Sequence, residues 1–314
     1  MTGPSRGRHI DLTSPRGYYL DYSARAEPRC PVDSSGAPGV SKGRGRVEPS
    51  PLLVARSALG NLELYLGGAR PERRDRFESL SRWLVEHQEI IPGSYGGWSM
   101  PAVGRGSRAR LEAGWFSGAT HAECVSVLVR AALLLRLEGA AAAAQRAVAG
   151  FRTRVEDGGF LREMGDAGDV GGLESLTFIM ERAGPNPGAM DLSVHVRGLW
   201  ALFDFGFLSR DDSVDRLFDR CVDGLAFVLD RYDLGYWSLG CLDSDGRIGG
   251  PSSAETHEEL TIMLETMYTM TGRDEFLAVA QRWRSCLDRI GCRTRALVAR
   301  AVPGAFRRGP SWIP

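Results

Sequence analysis

The sequence predicts an all-α protein built as a four-hairpin α/α barrel (a toroid) with a mostly irregular N-terminal arm. Three observations point there. From Pro51 onward the apolar residues recur at helical spacing. Tight turns such as Gly67–Pro71 and Leu137–Gly139 join the helical segments in pairs. Successive pairs begin near 52, 119, 191 and 257, a period of about 65 to 70 residues, and stacked αα-hairpins bury their faces by curving round into a solenoid or closed barrel.

Residues 1–49 form the arm, rich in Gly, Pro, Ser and Arg, with Tyr18-Tyr19-Leu20-Asp21 as the part expected to be ordered, packed outside the barrel or across its rim. The barrel is expected over 50–292 and a C-terminal extension over 293–314. Within the barrel, helices are predicted at 52–66, 72–90, 119–136, 139–154, 191–206, 212–231, 257–271 and 274–290, with shorter ones at 173–182 and 294–301. Thr120-x-x-Glu123 and Thr256-x-x-Glu259 read as capping boxes, Asp191 as the N-cap of the third inner helix, and Pro71 as a first-turn proline. The long loops 91–118, 155–190 and 232–256 then gather at one rim, over the N-termini of the inner helices. That rim is the expected site, because long loops carry function and helix N-termini attract anionic groups.

Composition narrows the function. The chain has 314 residues, 43% hydrophobic and 25% charged, enough for a sizeable core. Its 39 basic residues balance 39 acidic ones, which argues against nucleic acid as a partner. No apolar run is read as a membrane span and Met1–Asp11 lacks a secretory signal, so a membrane partner is not expected and the cytoplasm is the expected location. The six cysteines show no C-x-x-C spacing and are expected to be reduced thiols. Lys42 is the only lysine, so the folded body offers none for a Schiff base. No glycine-rich phosphate cradle opens a helix and no His or Cys cluster has ligand spacing, so neither cofactor nor metal is expected. A small-molecule substrate is the expected partner, with a homo-oligomer left open.

Two stretches carry candidate chemistry. Gly114–Glu123 runs from a long loop into an inner helix and offers Trp115 and Phe116 as a ring platform ahead of His121; the alternative is that the aromatics staple the loop to the core. The deepest cavity is expected here, with Trp115 and His121 lining it. Arg231–Ser238 crosses the rim with Tyr232, Asp233, Tyr236 and Trp237: a carboxylate, a donor in Tyr236 and a stacking wall in Trp237. His121, His195 and His257 fall in the first turns of three inner helices, where they read as acid/base candidates, each with the alternative of a hydrogen-bonded core residue.

These segments together resemble the C-terminal catalytic domain of the D-glucuronyl C5-epimerase family over roughly residues 50 to 290. The likeness rests on Gly114-Trp115-Phe116-Ser117 followed by Val127–Ala131, on Val196–Asp204, on Arg231–Ser238, and on Thr271-Gly272 with Phe276, Ala280, Arg282 and Trp283. The resemblance implies a four-hairpin α/α barrel and removal and return of the C5 proton of a uronate by tyrosines and a glutamate on the rim loops. The family's tyrosine positions hold Gly240-Cys241 and Thr256 here, and its Glu-Tyr-Pro segment reads Gly184–Gly188 unless Glu181 takes the acid's place. The chain therefore reads as a diverged member lacking the catalytic tyrosines.

Three functions follow. The favoured one is cofactor-free proton transfer at a carbon acid on a small, less polar substrate, ending in isomerisation, dehydration or Michael-type cyclisation, in bacterial natural-product biosynthesis. In it His121, His195, His257 and Tyr236 are the acid/base set, while Trp115, Trp237, Tyr232, Asp233, Arg197 and Tyr95 contact substrate. The second is a uronate C5-epimerase acting on a polysaccharide, with Tyr95 or Tyr18 as shifted tyrosines and Arg56, Arg130 and Arg197 on the carboxylate. The third is a non-catalytic binding protein.

Overall fold

Four helical hairpins follow from the breakers in the sequence. α1 (Pro51–Gly68) pairs with α2 (Pro71–Glu86), α3 (Gly118–Leu135) with α4 (Ala140–Arg152), α5 (Leu192–Leu208) with α6 (Asp212–Val228), and α7 (Ala254–Thr271) with α8 (Asp274–Leu287); α9 (Ile290–Ala301) follows. The computed structural model describes residues 3–27, 29–68, 70–91, 95–103, 111–164, 176–242 and 250–301. The hairpin turns use the residues expected of them: Pro71 opens α2, and Gly139 and Gly272 adopt φ of 78° and 70°, a region open chiefly to glycine.

α1, α3, α5 and α7 form the inner ring and their partners the outer one. The burial pattern explains the division. α3 and α5 are buried nearly all round because one side meets an outer helix and the other the barrel interior, whereas α4, α6 and α8 bury one apolar stripe and expose the rest. α3 is long and apolar enough to cross a membrane by composition, contrary to expectation, but 72% of that stretch is buried inside the barrel. The molecule is an all-α α/α barrel.

Short antiparallel ribbons occupy the arm and the loops between hairpins: β1 (Gly39–Ser41) with β2 (Val47–Pro49) ahead of α1, then β3 (Glu89–Ile90) with β4 (Gly96–Gly97), β5 (Ser99–Met100) with β6 (Trp115–Phe116), β7 (Leu161–Met164) with β8 (Leu176–Ile179), and β9 (Met190–Asp191) with β10 (Cys241–Leu242). β8 replaces the helix predicted at 173–182, whose first residues lie outside the described ones. Leu176-Thr177-Phe178-Ile179 is entirely buried, and a short continuous apolar run of this kind suits a buried strand as well as a helix.

The arm departs most from expectation. It is built from Ser5 to Asp21 as an irregular hairpin, with Gly7 N donating to Tyr19 O (3.1 Å), Gly17 N to His9 O (3.0 Å) and Asp21 N to Ser5 O (2.8 Å). It stands between α7 and α1: Arg6 donates to Thr269 on α7 and Arg8 N to Glu63 on α1. Ser57 and Asn61 then donate to Ala26 O, and Gly60 lets the arm's backbone approach so closely that a Cβ there would lie 2.2 Å from Tyr22 O. Tyr18, Tyr19 and Tyr22 enter the barrel itself, each 9% exposed or less. The cause is a packing demand: four helices around one axis leave space that large amphipathic rings can fill.

Candidate active site

Helical periodicity decides what faces the barrel interior. Residues seven apart share a face, being about 20° short of two full turns. Arg56, Glu123, Arg197 and Glu259 occupy the second turns of α1, α3, α5 and α7 and form an upper layer of alternating sign. Glu123 is fully buried and accepts from Arg56 Nε (2.9 Å), Arg197 Nε (2.9 Å) and Tyr22 OH (2.8 Å), and Arg197 also pairs with Glu259. Burial alone would raise the Glu123 pKa, but Arg56 and Arg197 hold it below the usual carboxylate range.

Seven residues further along stand Glu63, Arg130, Asp204 and Thr266, the lower layer. Arg130 and Asp204 form an ion pair at 2.5 Å with neither side chain exposed. Tyr19 OH donates to Asp204 (2.6 Å), and Arg130 also donates to Gly17 O (2.8 Å) and Ser126 O (3.0 Å). Between the layers Tyr18 meets Trp200 edge-on at 5.8 Å, and neither the Tyr18 hydroxyl nor the Trp200 Nε1 has a hydrogen-bond partner among the described residues.

The layers correct the expected capping boxes. The N-caps are Ser117 and Ser253, accepting from Thr120 N (3.2 Å) and Thr256 N (3.0 Å), so the helices start earlier and Glu123 and Glu259 lie a turn too far in to cap them. Asp191 is the N-cap of α5, accepting from Ser193 N (2.9 Å) and Val194 N (3.2 Å).

The three histidines face the other way. Each stands two residues before a charged member of the upper layer, about 200° round the helix. Each donates from Nε2 to a carbonyl 26 residues on, in its own outer helix: His121 to Ala147 (2.7 Å), His195 to Cys221 (3.0 Å) and His257 to Trp283 (3.1 Å). His195 stacks on Phe178 at 3.9 Å and His257 on Trp237 at 3.8 Å, and their Nδ1 atoms accept from Ile179 N and Ser238 N. His121 sits among Tyr95, Trp98, Phe151 and Phe160. Burial lowers all three to about 4. The structure therefore ties the histidines to three separate hairpin interfaces and does not gather them in one cavity.

The loop residues are placed similarly. Trp237 Nε1 donates to Ser252 O and Tyr232 OH to Met190 O, both rings buried. Asp233 accepts from Arg282 Nε (2.7 Å) and Trp283 Nε1 (3.1 Å), binding its loop to α8. Tyr236 lies under the Arg295 guanidinium at 3.9 Å, against α9. Tyr95 OH donates to Gly158 O (3.0 Å), and burial pushes its pKa up to about 12. Trp115 is half-buried in β6, its Nε1 donating to Pro101 O. A cavity of about 530 Å³ opens nearby, lined by Trp83, His87, Gln88, Trp98, Met100 and Gly114 among others, but Trp115 and His121 do not line it. Of the ten candidate residues, Arg197 alone belongs to the two charged layers.

Glu181 completes the mouth. It lies just beyond β8, at the N-terminus of α3, its carboxyl accepting from Ser117 Oγ (2.7 Å) and Ala119 N (3.1 Å). Desolvation raises its pKa to about 7 against the opposing pull of those donors; Asp191 raises it further and Arg197 lowers it. Asp191, also desolvated, is raised too. Two raised carboxyls thus stand at the N-termini of α3 and α5, within electrostatic range of Arg197 but not paired with it. Arg56, paired with Glu123, is the more accessible arginine of the upper layer, its side chain 27% exposed. No group of three or more His, Cys, Asp or Glu among the described residues is placed to hold a metal ion.

An α/α barrel with a charge-layered interior and a carboxylate rim at the N-terminal ends of its inner helices is the class that fold and site define. The chain belongs to the D-glucuronyl C5-epimerase C-terminus family, whose profile matches residues 93–285. No curated protein sequence matches it. Among solved structures it is similar to a D-mannose isomerase (TM-score 0.55, 12% identity, covering 83% of this chain and 65% of that one). It is also similar to cellobiose 2-epimerases from Bacillus thermoamylovorans B4167 (TM-score 0.58, 10% identity, 83% and 67%) and Spirochaeta thermophila DSM 6192 (TM-score 0.58, 12% identity, 85% and 67%). The chain thus spans about two thirds of the length of these proteins, and at such identity the likeness concerns the fold.

Proposed function

We propose that this chain is an enzyme that moves a proton at a carbon acid, with Glu181 rather than the histidines as its acid/base group. The observation that carries this reading is the placement of the Glu181 carboxyl at the N-terminus of α3, bonded by Ser117 Oγ (2.7 Å) and Ala119 N (3.1 Å), where desolvation raises its pKa to about 7. A carboxyl poised there is abundant both as base and as acid near neutrality. Histidines lowered to about 4 and bonded into hairpin interfaces are poorly placed for that role.

In the proposed reaction the Glu181 carboxylate takes the proton from the carbon beside a carbonyl. Arg56, whose side chain is partly exposed, is the candidate to stabilise the negative charge that develops on the carbonyl oxygen. Return of a proton to the opposite face of the same carbon gives an epimer, and its return to the neighbouring carbon gives an isomer. Departure of a β-hydroxyl gives a dehydrated product, and the reverse addition of an internal nucleophile gives a ring. Tyr22, bonded to Glu123 at the inner end of the mouth, is the candidate second donor.

The substrate we propose is small and carries at most one acidic group. The upper layer neutralises itself, two arginines against two glutamates, and Arg130 is paired with Asp204, so little cationic capacity remains for a polyuronate. Reducing sugars, single uronates and the β-hydroxy carbonyl compounds of bacterial natural-product pathways all meet this description. The test is incubation with a panel of these in deuterium oxide. Solvent deuterium at carbon in at least one of them, lost in Glu181→Gln, is expected; equal incorporation by Glu181→Gln would overturn the assignment.

A further inference from the structure

Residues from Arg289 to the C-terminus hold six arginines and no acidic residue, which leaves the rest of the chain with 33 basic against 39 acidic residues. A chain of zero net charge thus concentrates positive charge at one end. Helix α9 lies within that end and is unlike the other helices. Its Ala296 faces the body, in a small cluster with Tyr236, Trp237 and Cys286. Its opposite side carries Ile290, Leu297 and Val298, exposed by 82%, 67% and 57%.

The helical wheel orders these residues. At about 100° per residue, Ile290, Leu297 and Val298 with Thr294 form one stripe opposite Ala296. Arg293 and Arg300 flank the stripe on one edge and Arg295 on the other. Two of the flanking arginines also fasten the helix in this orientation: Arg295 stands 3.9 Å over the Tyr236 ring, and Arg300 donates to Pro251 O at 3.3 Å. The apolar stripe is thereby fixed outward. The remaining sequence adds Phe306, Arg307, Arg308, Trp312 and Ile313, the residue types that settle at a membrane interface.

We propose that the outward face of α9 binds an anionic membrane surface, its apolar stripe entering the headgroup boundary and Arg293 meeting lipid phosphates, while Arg295 and Arg300 hold the helix to the body and add to the positive field at the edges of the stripe. A stripe edged on both sides by guanidinium groups matches a negatively charged interface, where long basic side chains keep their stems in apolar surroundings and their heads among phosphates. The same charge would repel a second copy of this face, so a symmetric dimer is the less favoured occupant.

The test is co-sedimentation of the full chain with vesicles of phosphatidylcholine and phosphatidylglycerol in equal parts, compared with phosphatidylcholine alone. Pelleting with the anionic vesicles only, released by high salt, is expected. Leu297→Ser and Arg293→Glu should each weaken the partitioning by roughly tenfold. Because both side chains are exposed, thermal melts of the variants should match the parent and show that the fold is intact. The proposal is overturned if the chain stays in the supernatant with anionic vesicles, or if binding survives both substitutions. It is equally overturned if sedimentation velocity shows a dimer that Leu297→Ser dissolves, because the face would then belong to a second copy.

Discussion

His121 and Glu123 stand two residues apart on α3 and serve opposite sides of it: the imidazole bonds Ala147 O on α4 at 2.7 Å, while the carboxylate bonds Arg56 and Arg197 across the barrel. The same two-residue step joins His195 to Arg197 and His257 to Glu259. One sequence pattern, repeated on three inner helices, thus sets both the inner-to-outer hairpin contact and the charge layer of the interior. On α1 the first position is Val54, which is buried without a clamp of this kind.

Acid sensitivity follows from the clamps. An imidazole lowered from 6.5 to about 4 stays neutral in the folded chain where the unfolded chain is protonated. Its contribution to stability is complete above pH 6.5 and is lost as pH falls toward 4, by roughly 3 kcal/mol per histidine at most. Urea midpoints should therefore fall steeply across that window. His195→Ala should destabilise the protein at neutral pH and flatten the decline.

Glu123→Gln should be among the most damaging single changes. It leaves two arginines facing each other without their shared counter-charge, and breaking a buried pair in this way costs about 3–5 kcal/mol. Adding Arg56→Met should recover part of the loss, because one of the uncompensated charges is then gone. Denaturant unfolding of the single and double variants measures the coupling.

The arm should be structural. Tyr19→Phe removes the hydroxyl that donates to the buried Asp204 and should cost about 1.5–3 kcal/mol. Deleting residues 1–22 opens the seam between α7 and α1 and should abolish cooperative unfolding in a thermal melt.

How far the sequence revealed these features depends on the signal each one carries. Helical spacing and breakers placed the eight barrel helices to within a few residues, because turn residues such as Pro71, Gly139 and Gly272 have few roles to play. β8 was hidden because a buried run of Leu176 to Ile179 has no period to distinguish strand from helix. The arm's insertion was hidden because nothing local to Tyr18, Tyr19 or Tyr22 shows that the barrel leaves a gap beside α1. The charged layers were legible in principle: the seven-residue spacing of Arg56 to Glu63, Glu123 to Arg130 and Arg197 to Asp204 marks one face of each inner helix. The capping-box spacing of Thr120-x-x-Glu123 and Thr256-x-x-Glu259 masks it, because it offers both glutamates a competing local role. Glu181 emerged only as a substitute for a family acid, since desolvation of a rim carboxyl leaves no mark in the sequence.

Glu181 should trade stability for function. A carboxyl raised from 4.5 to about 7 contributes its stability below pH 4.5 and loses it as pH rises through 7, by up to about 3 kcal/mol. Glu181→Gln should therefore melt at a higher temperature than the parent at pH 8, with the difference vanishing near pH 4.5.

The claim that a rim carboxyl is poised for proton transfer can be measured directly, without knowing the substrate. Carbon-13 labelling of glutamate carboxyls, with Glu181 assigned by the resonance missing from Glu181→Gln, gives its titration in the intact protein. The account predicts a midpoint of about 7. A midpoint at the ordinary glutamate value near 4.5 would mean that Glu181 is a simple hydrogen-bonding partner of Ser117 and Ala119, and would contradict the proposed acid/base role.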